Sequence, residues 1–237
     1  MDTAHPVLNP LRGDAGVVPV VCLPDRRGAV TALPVPAGAP LIAILVDRSG
    51  SMAESIGQME GGLNDFVRDQ AGLPGEAGVV LMQFDDEYER VWEMQPIRYA
   101  PRYVLKPRGG TALYDGIGRI ISDVNEVLAQ EDTHRPVVVV IVTDGHENGS
   151  TEWTLESVRS WIQYQREVYK WEFVFLGANL DAVKLAHKFG IPEQTALTYD
   201  TRRGKQVYAL LSKQVGQLRA GNKAGFSEAD RRKAIGQ

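Results

Sequence analysis

The amino-acid sequence predicts an α/β domain: a doubly wound, Rossmann-like and mostly parallel six-stranded sheet with one antiparallel edge strand and helices on both faces. Continuous apolar runs at Leu41–Val46 and Val137–Val142 fit strands buried on both sides, because half-exposed strands would alternate. Amphipathic stretches with apolar residues at helical spacing separate the strand-like runs, as crossover helices over a parallel sheet require. A short turn at Asp85 and Asp86 joins two such runs and implies a hairpin, hence one antiparallel pairing.

Each element has its own warrant. The first forty residues contain seven prolines and no sustained period, which reads as an extended arm, with Val17–Leu23 suited to an edge strand. Leu41–Val46 is the first strand of the domain. The helix after it places Ile56, Met59, Leu63, Phe66 and Val67 on one side and stops at Gly72-Leu-Pro-Gly75. Val79–Phe84 is the second strand and Tyr88–Met94 the third, with Tyr88, Arg90, Trp92 and Met94 expected on one face. Leu113, Ile117, Ile120, Ile121, Val124 and Leu128 define the clearest helix, entered from Pro107-Arg-Gly-Gly-Thr111. Val137–Val142 is the fourth strand, followed by a helix marked by Leu155, Val158, Trp161, Ile162 and Gln165. Phe173–Leu176, a helix around Asp181–Lys188 and the short strand Ala196–Tyr199 complete the sheet. Val207, Leu210, Leu211, Val215 and Leu218 make a long closing helix, and Ser227 with Asp230 three residues on is a capping-box variant opening a last one. The expected organisation is an arm over 1–40, a domain over 41–200 and a basic helical extension over 201–237.

Composition narrows the function classes. With 237 residues, 43% hydrophobic and 24% charged, the chain is globular in type and fits one main core, which excludes fibrous and largely disordered readings. The longest apolar runs fall far short of the roughly 20 residues a membrane-spanning helix needs. The first twenty residues are broken by prolines and show no basic start before an apolar stretch, so the expectation is a cytoplasmic protein without a secretory leader. One cysteine, Cys22, allows neither an internal disulfide nor a thiolate zinc site. Residues 41–200 carry 25 acidic and 14 basic side chains, whereas 201–237 carry two and nine. The acidic body disfavours nucleic acid, leaving only the basic tail for such a role; Arg202, Arg203, Lys205, Lys213, Arg219, Lys223, Arg231, Arg232 and Lys233 otherwise read as solvated helix faces.

The residues that carry chemistry follow the carboxyl ends of strands, where open α/β sheets place ligands. Asp47-Arg-Ser49-Gly-Ser51 follows the first strand, Gly109-Gly-Thr111 precedes the clearest helix, and Thr143-Asp144-Gly145 follows the fourth strand. Taken singly, an Asp-Arg-Ser-Gly-Ser loop is equally well a turn or a helix cap. Together the segments offer carboxylates and hydroxyls without His or Cys, which suits a hard cation such as Mg²⁺ and not zinc.

In these residues the sequence closely resembles the von Willebrand factor A domain with its metal-ion-dependent adhesion site. That family's Asp-x-Ser-x-Ser, separate Thr and separate Asp are matched by Asp47, Ser49, Ser51, Thr111 and Asp144, and the resemblance covers about residues 41–200. It implies that Ser49 and Ser51 bind the metal directly, Thr111 directly or through water, and Asp47 and Asp144 mainly through water. Mg²⁺ is the implied cofactor, with Mn²⁺ or Ca²⁺ as alternatives. The resemblance also implies strand order 3-2-1-4-5-6 with the third strand antiparallel. Arg48, Gly110, Gly145, His146 and Glu147 become the expected rim of a partner site, and the partner a protein offering a carboxylate. Phe175-Leu-Gly-Ala-Asn179 and Thr143-Asp-Gly-His-Glu-Asn148 look like small cytoplasmic bacterial or phage-encoded members, some of which work beside an ATPase or a stress-response complex.

The reading is therefore a non-enzymatic, metal-dependent interaction module. Two rivals stand beside it: a Mg²⁺-dependent phosphohydrolase with Asp47 as nucleophile, and a structural or phage-associated component binding through its basic tail. The first lacks a nearby lysine and a nucleotide loop. Asp85, Asp86, Glu87 and Glu89 read as a solvated turn because the glycine and terminal glutamate of a calcium loop are missing. Asp115, near a helix start, reads as dipole compensation. Arg12-Gly13-Asp14 and the sequon Asn148-Gly-Ser150 are set aside in a chain without a secretory leader.

Overall fold

A computed structural model describes residues 21–24, 30–131, 134–223 and 225–237. β1 (Val21–Pro24) and β2 (Val30–Leu33) pair antiparallel as a separate two-stranded sheet, so part of the expected arm is a ladder that does not extend the main sheet. Arg12-Gly13-Asp14 and the start of the expected edge strand lie outside the described residues.

The main sheet contains β3 (Leu41–Asp47), β4 (Gly78–Phe84), β5 (Tyr88–Pro96), β6 (Val137–Thr143), β7 (Glu172–Ala178) and β8 (Ala196–Tyr199). Its order is β5-β4-β3-β6-β7-β8, and every pairing is parallel except β4 with β5. Counted from β3 this is 3-2-1-4-5-6, with the antiparallel strand at one edge. The order reverses between β3 and β6, which makes their carboxyl ends the switch-point crevice.

Because successive side chains of a strand point to opposite faces, β3 builds two cores. Ile42, Ile44 and Val46 pack with α1 (Ile56–Gly72) and α5 (Gly204–Arg219); Leu41, Ala43 and Leu45 pack with α2 (Leu113–Leu128), α3 (Leu155–Val168) and α4 (Ala182–Lys188). Burial on both faces is why these runs are uninterruptedly apolar.

Two expectations change. Trp92 and Met94 do not share a face: Trp92 joins the α1–α5 core and Met94 the α2–α3 core. The β4–β5 register shifts between Val79 and Leu81 and again between Leu81 and Met82, and an irregularity of this kind reverses the facing of the residues beyond it. The boundary at residue 200 is also absent from the packing. Val207, Tyr208, Leu211, Val215 and Leu218 of α5 share one core with Leu63 and Phe66 of α1. Phe226 and Ala234, the latter on α6 (Glu228–Ile235), join the same core, and Asp200 N donates to Ala234 O at 3.0 Å. α5 and α6 thus close one face of the sheet. Among the described residues no helix is long and apolar enough to cross a membrane.

Candidate functional site

The site is assembled at the β3/β6 switch point. Asp47 ends β3, is fully buried, and both carboxylate oxygens are engaged. Oδ1 accepts the Ser49 N–H at 2.7 Å, and Oδ2 accepts the Thr143 hydroxyl at 2.5 Å. The first of these bonds bends the chain back after Asp47 in an Asx-type turn, which brings Ser49 and Ser51 to the same side. Their hydroxyls lie 3.0 Å apart, and Ser51 Oγ donates to Asp144 Oδ1 at 2.6 Å. One connected set of oxygens thus spans the loops after β3 and β6.

Thr111 arrives from the third segment. Gly50 N donates to Gly109 O at 3.1 Å and Arg108 N to Arg48 O at 2.8 Å, laying the 108–111 loop along the Asp47–Ser51 loop. Gly109 has φ +66°, a left-handed conformation that favours glycine. A methyl group on Gly145 would sit 2.9 Å from Thr111 Oγ1, too close without a shift of Thr111, and 3.6 Å from Asp47 Oδ2, so these three residues meet. Thr111 is itself buried, its N–H donating to Asn148 Oδ1 at 2.8 Å while Asn148 N donates to Thr111 O at 3.0 Å. All five sequence-predicted donors are therefore brought together.

The electrostatics of this group are unbalanced. Burial pushes the Asp47 carboxyl up to about 6, despite the hydrogen bonds from Thr143 and Ser49, and the neighbouring Asp144 charge adds to the rise. Burial likewise raises Asp144, opposed by Ser51. Among the described residues no Lys or Arg pairs with either carboxylate. Nor, among the described residues, is there a group of three or more His, Cys, Asp or Glu that could hold a metal ion. Two carboxylates and three hydroxyls without a counter-charge fit a small hard cation and would not suit zinc.

The expected rim divides. His146 is exposed, and Gly110 and Gly145 line the loops, but Arg48 is no rim residue. Its side chain is buried and ion-paired to Asp85 (2.8 Å) and Glu89 (2.6 Å). The expected rim position does not allow for acidic partners brought in from the β4–β5 hairpin, which take up the Arg48 charge. Asp85 is likewise buried, so the acidic hairpin is only partly a solvated turn. Glu147 is spent inside its own loop: Oε1 accepts the N–H groups of Gly149 and Ser150, and Oε2 accepts Tyr114 N at 3.0 Å and Ser150 Oγ at 2.7 Å. With Ser150 Oγ accepting Asp115 N at 3.1 Å, it caps the start of α2. Asp115 accepts the N–H groups of Thr151, Glu152 and Trp153, so it anchors the loop after β6 as well as standing in the first turn of α2.

Residues outside the sequence-predicted site also matter. Thr143 supplies the donor to Asp47, Asn148 holds Thr111, and Asp86 Oδ1 accepts Gly110 N at 2.9 Å. Thr143 carries the one legible signal, since a hydroxyl at the last position of an otherwise apolar strand lies at the ligand end of the sheet.

No protein-family model matches the sequence, and no curated protein sequence is significantly similar to it. Solved structures are similar in fold. Proximal thread matrix protein 1 from the mussel byssus superposes with TM-score 0.55 at 17% identity, over 76% of this chain and 46% of its own. A von Willebrand factor type A structure from Catenulispora acidiphila gives 0.55 at 16% identity, over 78% of this chain and 43% of its own. The vWF domain of the type V pili tip protein Mfa5 from Porphyromonas gingivalis gives 0.54 at 11% identity, over 82% of this chain and 99% of its own. The chain thus spans less than half the length of the first two structures.

Proposed function

We propose that this chain, whose fold is that of von Willebrand factor A domains, is a divalent-cation-dependent protein-interaction module rather than an enzyme. Asp47, Ser49, Ser51, Thr111 and Asp144 hold Mg²⁺, with Mn²⁺ or Ca²⁺ as substitutes, and a carboxylate of a protein partner completes the coordination. One observation carries the reading: Asp47, Ser49, Ser51 and Asp144 are linked by hydrogen bonds across two loops, Thr111 lies beside them across Gly145, and among the described residues no basic side chain pairs with either carboxylate. The cation supplies the missing positive charge, and neutral hydroxyl donors leave enough of it uncompensated to attract an acidic group. Asp47 makes a poor nucleophile, since it is fully buried with both oxygens hydrogen-bonded, which speaks against a phosphohydrolase. Similar folds in a pilus tip protein and a byssus matrix protein fit an interaction role. A cytoplasmic location and a bacterial or phage origin, with an ATPase or stress-response complex as partner, belong to the same proposal and rest on the sequence.

The test has two parts. Mg²⁺ at a hundredfold excess over its Kd stabilises a protein that binds it only when folded by about 2.7 kcal/mol, so the melting temperature of the wild type rises with Mg²⁺ and falls back on chelation. Asp47→Ala and Asp144→Ala abolish that rise. Affinity capture in Mg²⁺ and in chelator then retains partners only with wild type and metal; a melting temperature indifferent to Mg²⁺, Mn²⁺ and Ca²⁺ sinks the proposal.

A further inference from the structure

We infer that Asp85 is a positioning residue of this metal centre, fastening to one buried carboxylate the two loops that carry four of the five oxygen donors. The inference rests on the metal reading above. Asp85 follows β4 directly and is 1% exposed. Its Oδ2 accepts from Arg108 Nε at 2.6 Å and lies 2.8 Å from Arg48 Nε, a charge contact without hydrogen-bond alignment. Its Oδ1 accepts the Glu87 N–H at 2.7 Å, and its main-chain oxygen accepts Ala112 N at 2.9 Å.

The positions of those partners make Asp85 matter. Arg48 stands between Asp47 and Ser49 in the first loop; Arg108 is three residues before Thr111 and Ala112 directly after it in the second. The loops otherwise touch through main-chain bonds, Arg108 N to Arg48 O and Gly50 N to Gly109 O, which tolerate sliding and rotation better than a buried ion pair does. Asp85 stands opposite two guanidinium groups at once. Without its charge, Arg48 keeps only Glu89, whose side chain is about half exposed, and a buried arginine deprived of its partner is driven to move. A move of Arg48 drags Asp47 and Ser49 with it. Metal donors must be held within a few tenths of an ångström, so groups that never touch the ion still set its affinity.

The experiment is a Mn²⁺ titration of the full chain, with free Mn²⁺ read by electron paramagnetic resonance, paired with amide hydrogen exchange of the metal-free protein. Asp85→Asn keeps the shape and removes the charge. It weakens Mn²⁺ roughly ten- to hundredfold while the far-UV circular dichroism stays native. Exchange quickens at Arg48, Gly50, Arg108 and Ala112 and stays unchanged in α3 and α5. Arg108→Gln, on a half-exposed side chain, weakens Mn²⁺ in the same direction by less, and the double variant is no worse than Asp85→Asn alone, because the two share one interaction. Wild-type affinity in Asp85→Asn overturns the assignment. So does exchange that rises equally in α3 and α5, which marks a general packing role. Should Asp85→Asn not fold, wild-type affinity in Arg108→Gln overturns it alone. A wild type that binds no Mn²⁺ overturns the metal reading itself, a result separate from tight wild-type binding that Asp85→Asn leaves untouched.

Discussion

Thr143 and Asp85 illustrate how single residues hold charge inside this protein. The Thr143 hydroxyl donates to Asp47 Oδ2, while the Ser49 N–H serves Oδ1. Thr143→Val keeps the volume and β-branched shape but leaves a buried oxygen unpaired. A hydrogen bond to a charged group contributes about 2 kcal/mol, and this is the expected loss of stability, read from the urea midpoint without metal. Asp85 titrates to the opposite effect from Asp47. Burial pushes its carboxyl up, but the hydrogen bonds from Arg108 and Glu87 N and the charges of Arg48 and Arg108 outweigh burial and hold it below the usual range. Its folded pKa is thus lower than its unfolded one. The stability this contributes is fully present above the ordinary carboxylate pKa of about 4 and is lost as pH falls through the depressed value. Asp85→Asn removes that contribution, so its stability should fall less steeply than wild type below about pH 4 in acid titrations followed by tryptophan fluorescence.

At the scale of elements, helices meet loops through caps and meet each other through missing side chains. α2 has no side-chain cap from its own N-cap residue, Ala112, and Glu147 from the loop after β6 serves instead. This makes the helix start and the Asp144 loop one unit. Glu147→Ala should cost about 1 kcal/mol, the usual worth of a helix cap, and should shift the metal-free melting temperature. α1 and α5 approach closely at Gly62, where an added methyl group would lie 2.0 Å from the Tyr208 ring. Tyr208 is itself buried and cannot swing away. Gly62→Ala should therefore destabilise by about 1–3 kcal/mol in guanidinium unfolding, although alanine is the better helix former.

At the scale of the whole molecule, the uneven charge of the chain acquires a structural meaning. Two of the nine basic residues after position 200 staple the closing helices to the acidic body: Arg219 donates to Gln70 O at 2.7 Å, and Arg231 to Ala196 O at 2.9 Å and Glu193 O at 2.6 Å. Lys205, Lys213, Lys223, Arg232 and Lys233 remain exposed, as a solvated face requires. Because α5 and α6 cover one face of the sheet, a chain ending at residue 200 leaves Val138, Val140, Val174 and Leu197 short of their cover. Such a truncation should lose the cooperative thermal transition in calorimetry, whereas a separable extension would leave it intact.

The sequence by itself determined the architecture and named the candidate site residues. Strands buried on both faces must be continuously apolar, so Leu41–Val46 and Val137–Val142 announced a parallel sheet, and resemblance to the von Willebrand factor A pattern picked out Asp47, Ser49, Ser51, Thr111 and Asp144. What only the tertiary structure decided is whatever depends on a neighbour remote in the chain. Arg48 looks like an exposed loop charge until Asp85 and Glu89 are beside it, and Glu147 looks like rim until α2 begins against it. Trp92 and Met94 share a face until the β4–β5 register slips, and nothing in the sequence shows that the closing helix α5 meets α1 where Tyr208 packs on Gly62. Periodicity reports how each residue relates to water. It carries no record of which distant partner replaces the water, and in this protein that replacement sets the charge and shape around the candidate metal centre.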